Sequence, residues 1–199
     1  MFKTFIKFFS FLLILLVIFV GYLSFYGIET KSFNKLIQNE ISKSNNEIRA
    51  KFDKVKILLK LTNLSVNIKV SDVILMYNNR EIQLKDISTN LSIRKFLKKE
   101  FGIKNAFIES KDNDLIDVVN FVRIYKNSPQ LIIFEKMLKK GKINSKIELN
   151  FNENGELKKD YKFNGSIKEA QIRFINKDSI SNIDLNFDIQ NKLYLIQNA

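Results

Sequence analysis

Leu64-Ser65-Val66-Asn67-Ile68-Lys69-Val70-Ser71 carries an apolar side chain at every even position and a polar one at every odd position. Successive side chains of a strand point to opposite faces, so this stretch is a β-strand with one dry face and one wet face. Upstream, Val55, Ile57, Leu59 and Leu61 alternate with Lys54, Lys56, Leu58 and Lys60. Downstream, Asp72 to Tyr77, the turn Asn78-Asn79 and Glu81 to Lys85 read as a hairpin, and Ile87, Thr89, Leu91 and Ile93 share one face of a further strand. Connections this short favour an antiparallel meander.

Period two then gives way to helix signals. Ser92 is placed to cap a short basic helix from Arg94 to Phe101, stopped by Gly102, before a strand from Ile103 to Ser110. Asp112 or Asn113 caps a longer helix whose stripe is Leu115, Val118, Val119 and Val122, ending before Pro129. Ser128-Pro129 opens another, Gln130 to Lys140, with Lys139-Lys140 at its negative end and Gly141 as its stop. Alternation returns in Ile147, Leu149 and Phe151, the turn Asn152-Glu153-Asn154-Gly155, Tyr161 and Phe163, Ala170, Ile172 and Phe174, and Ile183, Leu185, Phe187 and Ile189. A parity slip near Lys168-Glu169 predicts a bulge or break. The last strand-like run, Leu193 to Ile196, has no polar closing element after it, which reads as an unfinished sheet, a fragment or one unit of something longer.

At the other end, Phe8 to Ile28 lacks any charge, and Phe11 to Val20 is entirely Phe, Leu, Ile and Val. As a helix this segment is about 31 Å long against a hydrocarbon core of about 30 Å. Phe8, Phe11, Leu12, Leu15, Leu16 and Phe19 form the apolar body of the anchor, and Tyr22 and Tyr26 suit its interface. Lys3 and Lys7 resemble a signal-peptide n-region, but the run is too long and the edge Gly21 to Gly27 is too aromatic for cleavage. Lys31, Lys35 and Lys43 follow as closely as Lys3 and Lys7 precede, so charge alone does not fix the orientation. Phe33, Leu36, Ile37, Ile41 and Ile48 then mark an amphipathic helix, continuous with the span or separate, that caps the sheet or lies on the membrane. The expected plan is a tail over 1–7, a transmembrane anchor over 8–28, an amphipathic helix over 29–50 and a β-rich domain over 51–199.

No Cys and no His occur in 199 residues. Disulfides, thiol nucleophiles, imidazole acid/base chemistry and zinc sites of the usual ligands are excluded, and no glycine-rich phosphate loop is present; no cofactor or metal is expected. The net charge of +12 comes mostly from dispersed Lys, abundant together with the equally AT-codon-rich Asn, Ile and Phe. That argues against nucleic acid as a partner and leaves an anionic membrane surface as the natural neighbour.

The anchor, the helix, the strand Leu64 to Val73, the strand Ile87 to Ile93 leading into a basic helix, and Ile103 to Ser110 together resemble the start of AsmA-like proteins. The segments Met137 to Ile143, Glu148 to Gly155 and Tyr161 to Ala170 look like the next part of the large members with a YhdP-like or TamB-like plan. The resemblance implies a mainly β fold with helices: an antiparallel, taco-shaped twisted sheet with short capping helices after a single span. It also implies a bacterial inner-membrane anchor, a periplasmic domain, a cytoplasmic N-terminus, and a groove that shields phospholipid acyl chains travelling to the outer membrane. Members are generally much longer than this chain. Lining positions would be Leu64, Val66, Ile68, Val70, Ile87, Leu91, Ile93, Ile147, Leu149 and Phe151, each equally suited to an ordinary core. Further β-groove segments or envelope proteins would be its partners.

Other readings stay open. A short lipopolysaccharide-bridge component resembling LptC fits the length and the single span. A structural or interaction module would fill the same sheet and use its edge. An enzyme would need carboxylates converging in a cleft; Glu109, Asp112, Asp114 and Asp117 cluster in sequence, where capping and solvation account for them, and no catalytic residue is expected.

Overall fold

The computed structural model describes residues 2–98, 102–174, 178–190 and 193–197. It is mainly β with five helices among the described residues, built on one antiparallel open sheet. The apolar N-terminal run is α1 (Phe2–Phe25), of which Phe5–Phe25 is long and apolar enough to cross a membrane and is nowhere buried by the rest of the chain.

Gly27, at φ 72°, turns the chain out of α1 into β1 (Ile28–Thr30). A Cβ at Gly27 would lie 2.9 Å from the Leu58 side chain, so the turn needs glycine for space as well as for backbone. The span is therefore not continuous with the amphipathic helix, which is also shorter than expected: α2 (Asn34–Ser44) is followed by β2 (Arg49–Lys51), because Ala50 pairs with Leu75 and is drawn into the sheet.

The sheet runs β1, β3 (Val55–Lys60), β4 (Ser65–Tyr77), β5 (Arg80–Ser92), β6 (Ile103–Ser110), β8 (Leu138–Asn150), β9 (Lys162–Arg173), β10 (Ser179–Gln190), β11 (Leu193–Gln197), with β2 on β4 and β7 (Asn113–Asp114) on β8. β4 and β5 are joined by Asn78 and Asn79, both at positive φ, the two-residue turn that matches strand twist. Leu61–Asn63 is a 3-10 turn and Leu64 takes a left-handed φ of 46°, so the strand begins one residue later than the alternation implies. Ile93 likewise leaves its strand and opens α3 (Ile93–Leu97); positions 99–101 of the expected basic helix lie outside the described residues.

Two further helix boundaries differ from expectation. Asp114, not Asp112 or Asn113, caps α4 (Leu115–Tyr125), accepting from the Ile116 amide at 2.9 Å. Asn113 is buried instead, bonding both backbone groups of Gln83. Ser128 does cap α5 (Pro129–Met137), accepting from Leu131 N at 3.4 Å, but that helix stops before Lys139-Lys140 and Gly141. Leu138 is 3 % exposed and opposes Ile172, and Gly141 sits against Ala170; burying both in the sheet outweighs one more helical turn.

The expected slip at Lys168-Glu169 is present, with Glu169 at φ 50°, and Asp72 at φ 52° interrupts β4 without shifting its register against β5. Between these breaks one row crosses the sheet by direct pairing: Val55, Val70, Ile87, Ile108, Ile147, Phe163 and Ile189. Every member is apolar. Gly165 stands beside this row with no room for a side chain: a Cβ would run into the Asn144 carbonyl oxygen and lie 2.8 Å from the Phe187 ring. Gly165→Ala is expected to destabilise the detergent-solubilised full chain by about 1–3 kcal/mol, the ordinary cost of overpacking. A thermal or denaturant midpoint unchanged from wild type would mean that β8 and β10 can part here freely.

Candidate functional site

Three helices roof the apolar face without covering it. Ile37 from α2, and Val118 and Phe121 from α4, meet over the buried cluster Val55, Val70, Val73, Ile82 and Leu84. Leu115 and Val119 of α4 close a second cluster with Leu138, Ile143 and Ala170, and Phe134 of α5 packs against it. Arg123 of α4 is ion-paired with Glu135 of α5, tying those two helices together.

An apolar hollow remains on either side of the roof. The first, about 270 Å³, lies beneath Phe33, Leu36 and Ile37 and over Val55, Ile57, Val66, Ile68, Leu91 and Ile93; its exposed lining is wholly apolar. That is close to the lower end of small-molecule pockets, about 300–1,000 Å³. The second, about 360 Å³, lies between α4 and α5 and the distal strands, over Phe163, Ile167, Leu185, Phe187 and Ile189. The Phe163 and Phe187 rings touch with centroids 4.9 Å apart.

Of the ten positions proposed as lining, Val66, Ile68, Leu91 and Ile93 come together in the first hollow. Val70 is buried under the roof with Ile87 packed beside it, so these two serve as core. Ile147 and Leu149 continue the apolar rows half-buried, opposite Ile108 and Ala106. Phe151 lies past the last ladder pair, bridged to Leu157. Leu64 is 45 % exposed at the turn and does not join the apolar face. Strand alternation does not reveal Phe33, Leu36 and Ile37 as lining, because they face the sheet from a helix, nor does it reveal the second hollow. Phe163, Leu185, Phe187 and Ile189 are legible as strand positions, but only register sets them beneath α4.

The opposite face is polar and internally bonded. Asn67 donates to the Asn90 side-chain oxygen at 3.0 Å and Asn90 donates to that of Asn105 at 2.7 Å, a ladder across three strands. Burial pushes the Asp86 carboxyl up, but the Ser71 hydroxyl and the Lys69 ammonium more than offset that and hold it below its ordinary value. Lys85, assisted by Lys146, holds the Glu109 carboxyl low. Along the β1 edge of the sheet, Lys54 lowers Glu29 and Lys31 lowers Asp53. The four acidic residues that cluster in sequence do not converge: Glu109 pairs with Lys85 and Lys146, Asp112 accepts from Asn144, Asp114 caps α4 and Asp117 pairs with Arg80.

Compared with protein-family models, curated proteins and solved structures, the chain matches none.

Two measurements test the polar face. Asn90, 8 % exposed, has partners on both sides, so Asn90→Ala is expected to cost about 1–3 kcal/mol in chemical denaturation by removing its bonds to Asn67 and Asn105. Because the Glu109 value is depressed in the folded chain, its pairing contributes fully above the ordinary carboxyl value and is lost as pH falls through the folded value. Glu109→Gln should therefore lower stability by about 0.2–1 kcal/mol at pH 7, and the difference from wild type should vanish in strong acid.

Proposed function

We propose that this chain is an AsmA-like, inner-membrane-anchored protein whose β-rich domain lies in the periplasm and whose apolar face covers phospholipid acyl chains bound for the outer membrane. One observation carries the reading: an apolar row continuous over seven strands is only partly roofed by helices, leaving two apolar hollows beside the roof. Exposing an acyl chain to water costs about 0.8 kcal/mol per methylene, so a continuous apolar face lowers the barrier to moving lipid without any chemistry. The single span holds such a face beside its source of lipid.

The buried clusters under α2 and α4 favour a second reading, in which the interior is simply core and the domain is an interaction module. In-cell photo-crosslinking from Val66 and Leu149, followed by mass spectrometry, separates the two. Phospholipid captured at both positions is the expected result. A folded domain whose probes capture only protein would overturn the lipid reading. Leu91→Trp, which fills the first hollow, is expected to cut capture from Val66 about tenfold or more while capture from Leu149 falls less.

A further inference from the structure

The Lys60 end of the sheet carries a recess lined by basic side chains. β1 leaves α1 with Ile28 opposite Ile57 and Thr30 opposite Val55, so the chain arrives from the Lys60 end of β3, and α1 touches that strand. With α1 spanning a bilayer as proposed above, the Lys60 end would be the membrane-proximal one. It holds the turn Leu61–Asn63, the end of β5, α3 and the start of β6, and these surround a recess lined by Arg94, Lys95, Lys98 and Lys104 with Glu153 on its rim. None of the four cations pairs with a carboxylate among the described residues: Lys95 donates to the Glu153 backbone carbonyl at 2.8 Å and Lys104 to that of Asn63 at 3.5 Å. At the far end Lys111 is paired with Asp72, Arg80 with Asp117 and Lys31 with Asp53. The basic recess also abuts the first apolar hollow, because Ser92 lines both.

We infer that this junction is a loading site for an anionic glycerophospholipid of the bilayer that holds the anchor, its phosphate held by Arg94, Lys98 and Lys104 and an acyl chain lying in the hollow past Ile93. The inference rests on the proposed lipid-shielding role and adds the class of lipid and its point of entry. Charge complementarity selects the occupant: three cations with no carboxylate partner among the described residues suit a phosphate-bearing headgroup, and the adjoining hollow suits only its apolar tail. A cation near an anionic surface is worth about fivefold in affinity, so the preference for an anionic over a zwitterionic lipid should be readable.

The test uses the full-length chain in nanodiscs with a photoreactive side chain at Ile93, and separately at Phe163 in the second hollow. The nanodiscs contain phosphatidylglycerol or phosphatidylcholine of identical acyl composition. Expected is capture of phosphatidylglycerol at Ile93 roughly tenfold above phosphatidylcholine, a preference abolished in the chain carrying Arg94→Gln, Lys98→Gln and Lys104→Gln, with capture at Phe163 unchanged by those substitutions. Equal capture of the two lipids at Ile93 by the unsubstituted chain overturns the loading site while leaving the lipid-shielding role intact. Capture of no lipid at either position overturns both. The lipid comparison on the unsubstituted chain stands even where the triple variant fails to fold.

Discussion

A one-residue slip anywhere between β4 and β10 would turn an apolar row toward water and bring lysines and asparagines onto the dry face. Register is thus the constraint on which the rest of the structure depends. It is set by the Asn78-Asn79 turn and by the sterically closed Gly165, while the breaks at Asp72 and Glu169 re-phase the strands so that their apolar positions stay on one side. Val70 and Val73, three residues apart in one strand, both join the same core cluster because the alternation changes phase at Asp72, while β4 and β5 stay in register across it.

The incomplete roof is a matter of dimensions. Nine strands in the continuous order, at about 4.8 Å apart, make a sheet about 38 Å wide. α2 and α4 are each 11 residues, about 16 Å long and about 10 Å across with side chains. Helices of that size can seal only part of such a face, and they do so over β3 to β5 where Ile37, Val118 and Phe121 converge, but apolar surface remains beside them.

Much of this is legible in the sequence because alternation is a local signal. The anchor, the long strands, the hairpin turn, the Ser128 cap and the bulge near Glu169 each announce themselves within a few residues. Sequence and structure part where a local signal is overruled by a distant partner. Lys139-Lys140-Gly141 has the chemistry of a helix end, yet Leu138 and Gly141 are claimed by β9 and α4, far away in sequence. Ala50 reads as helix because its pairing with Leu75 is invisible before folding. The candidate site is the least legible part, since which apolar residues line a hollow rather than a core depends on where helices land, and no periodicity encodes that.

The asparagine ladder on the wet face has a consequence for the setting in which this domain would work. Beside a lipid headgroup layer, local proton and counter-ion concentrations differ from those of bulk water, and exposed ion pairs there are weakened by screening. Asn67, Asn90 and Asn105 carry no charge and no titrating proton, so the cross-strand bonds they make do not change as that ionic atmosphere changes. A sheet stitched by amides keeps its alignment on the side that meets the electrolyte, whatever the ionic composition beside it.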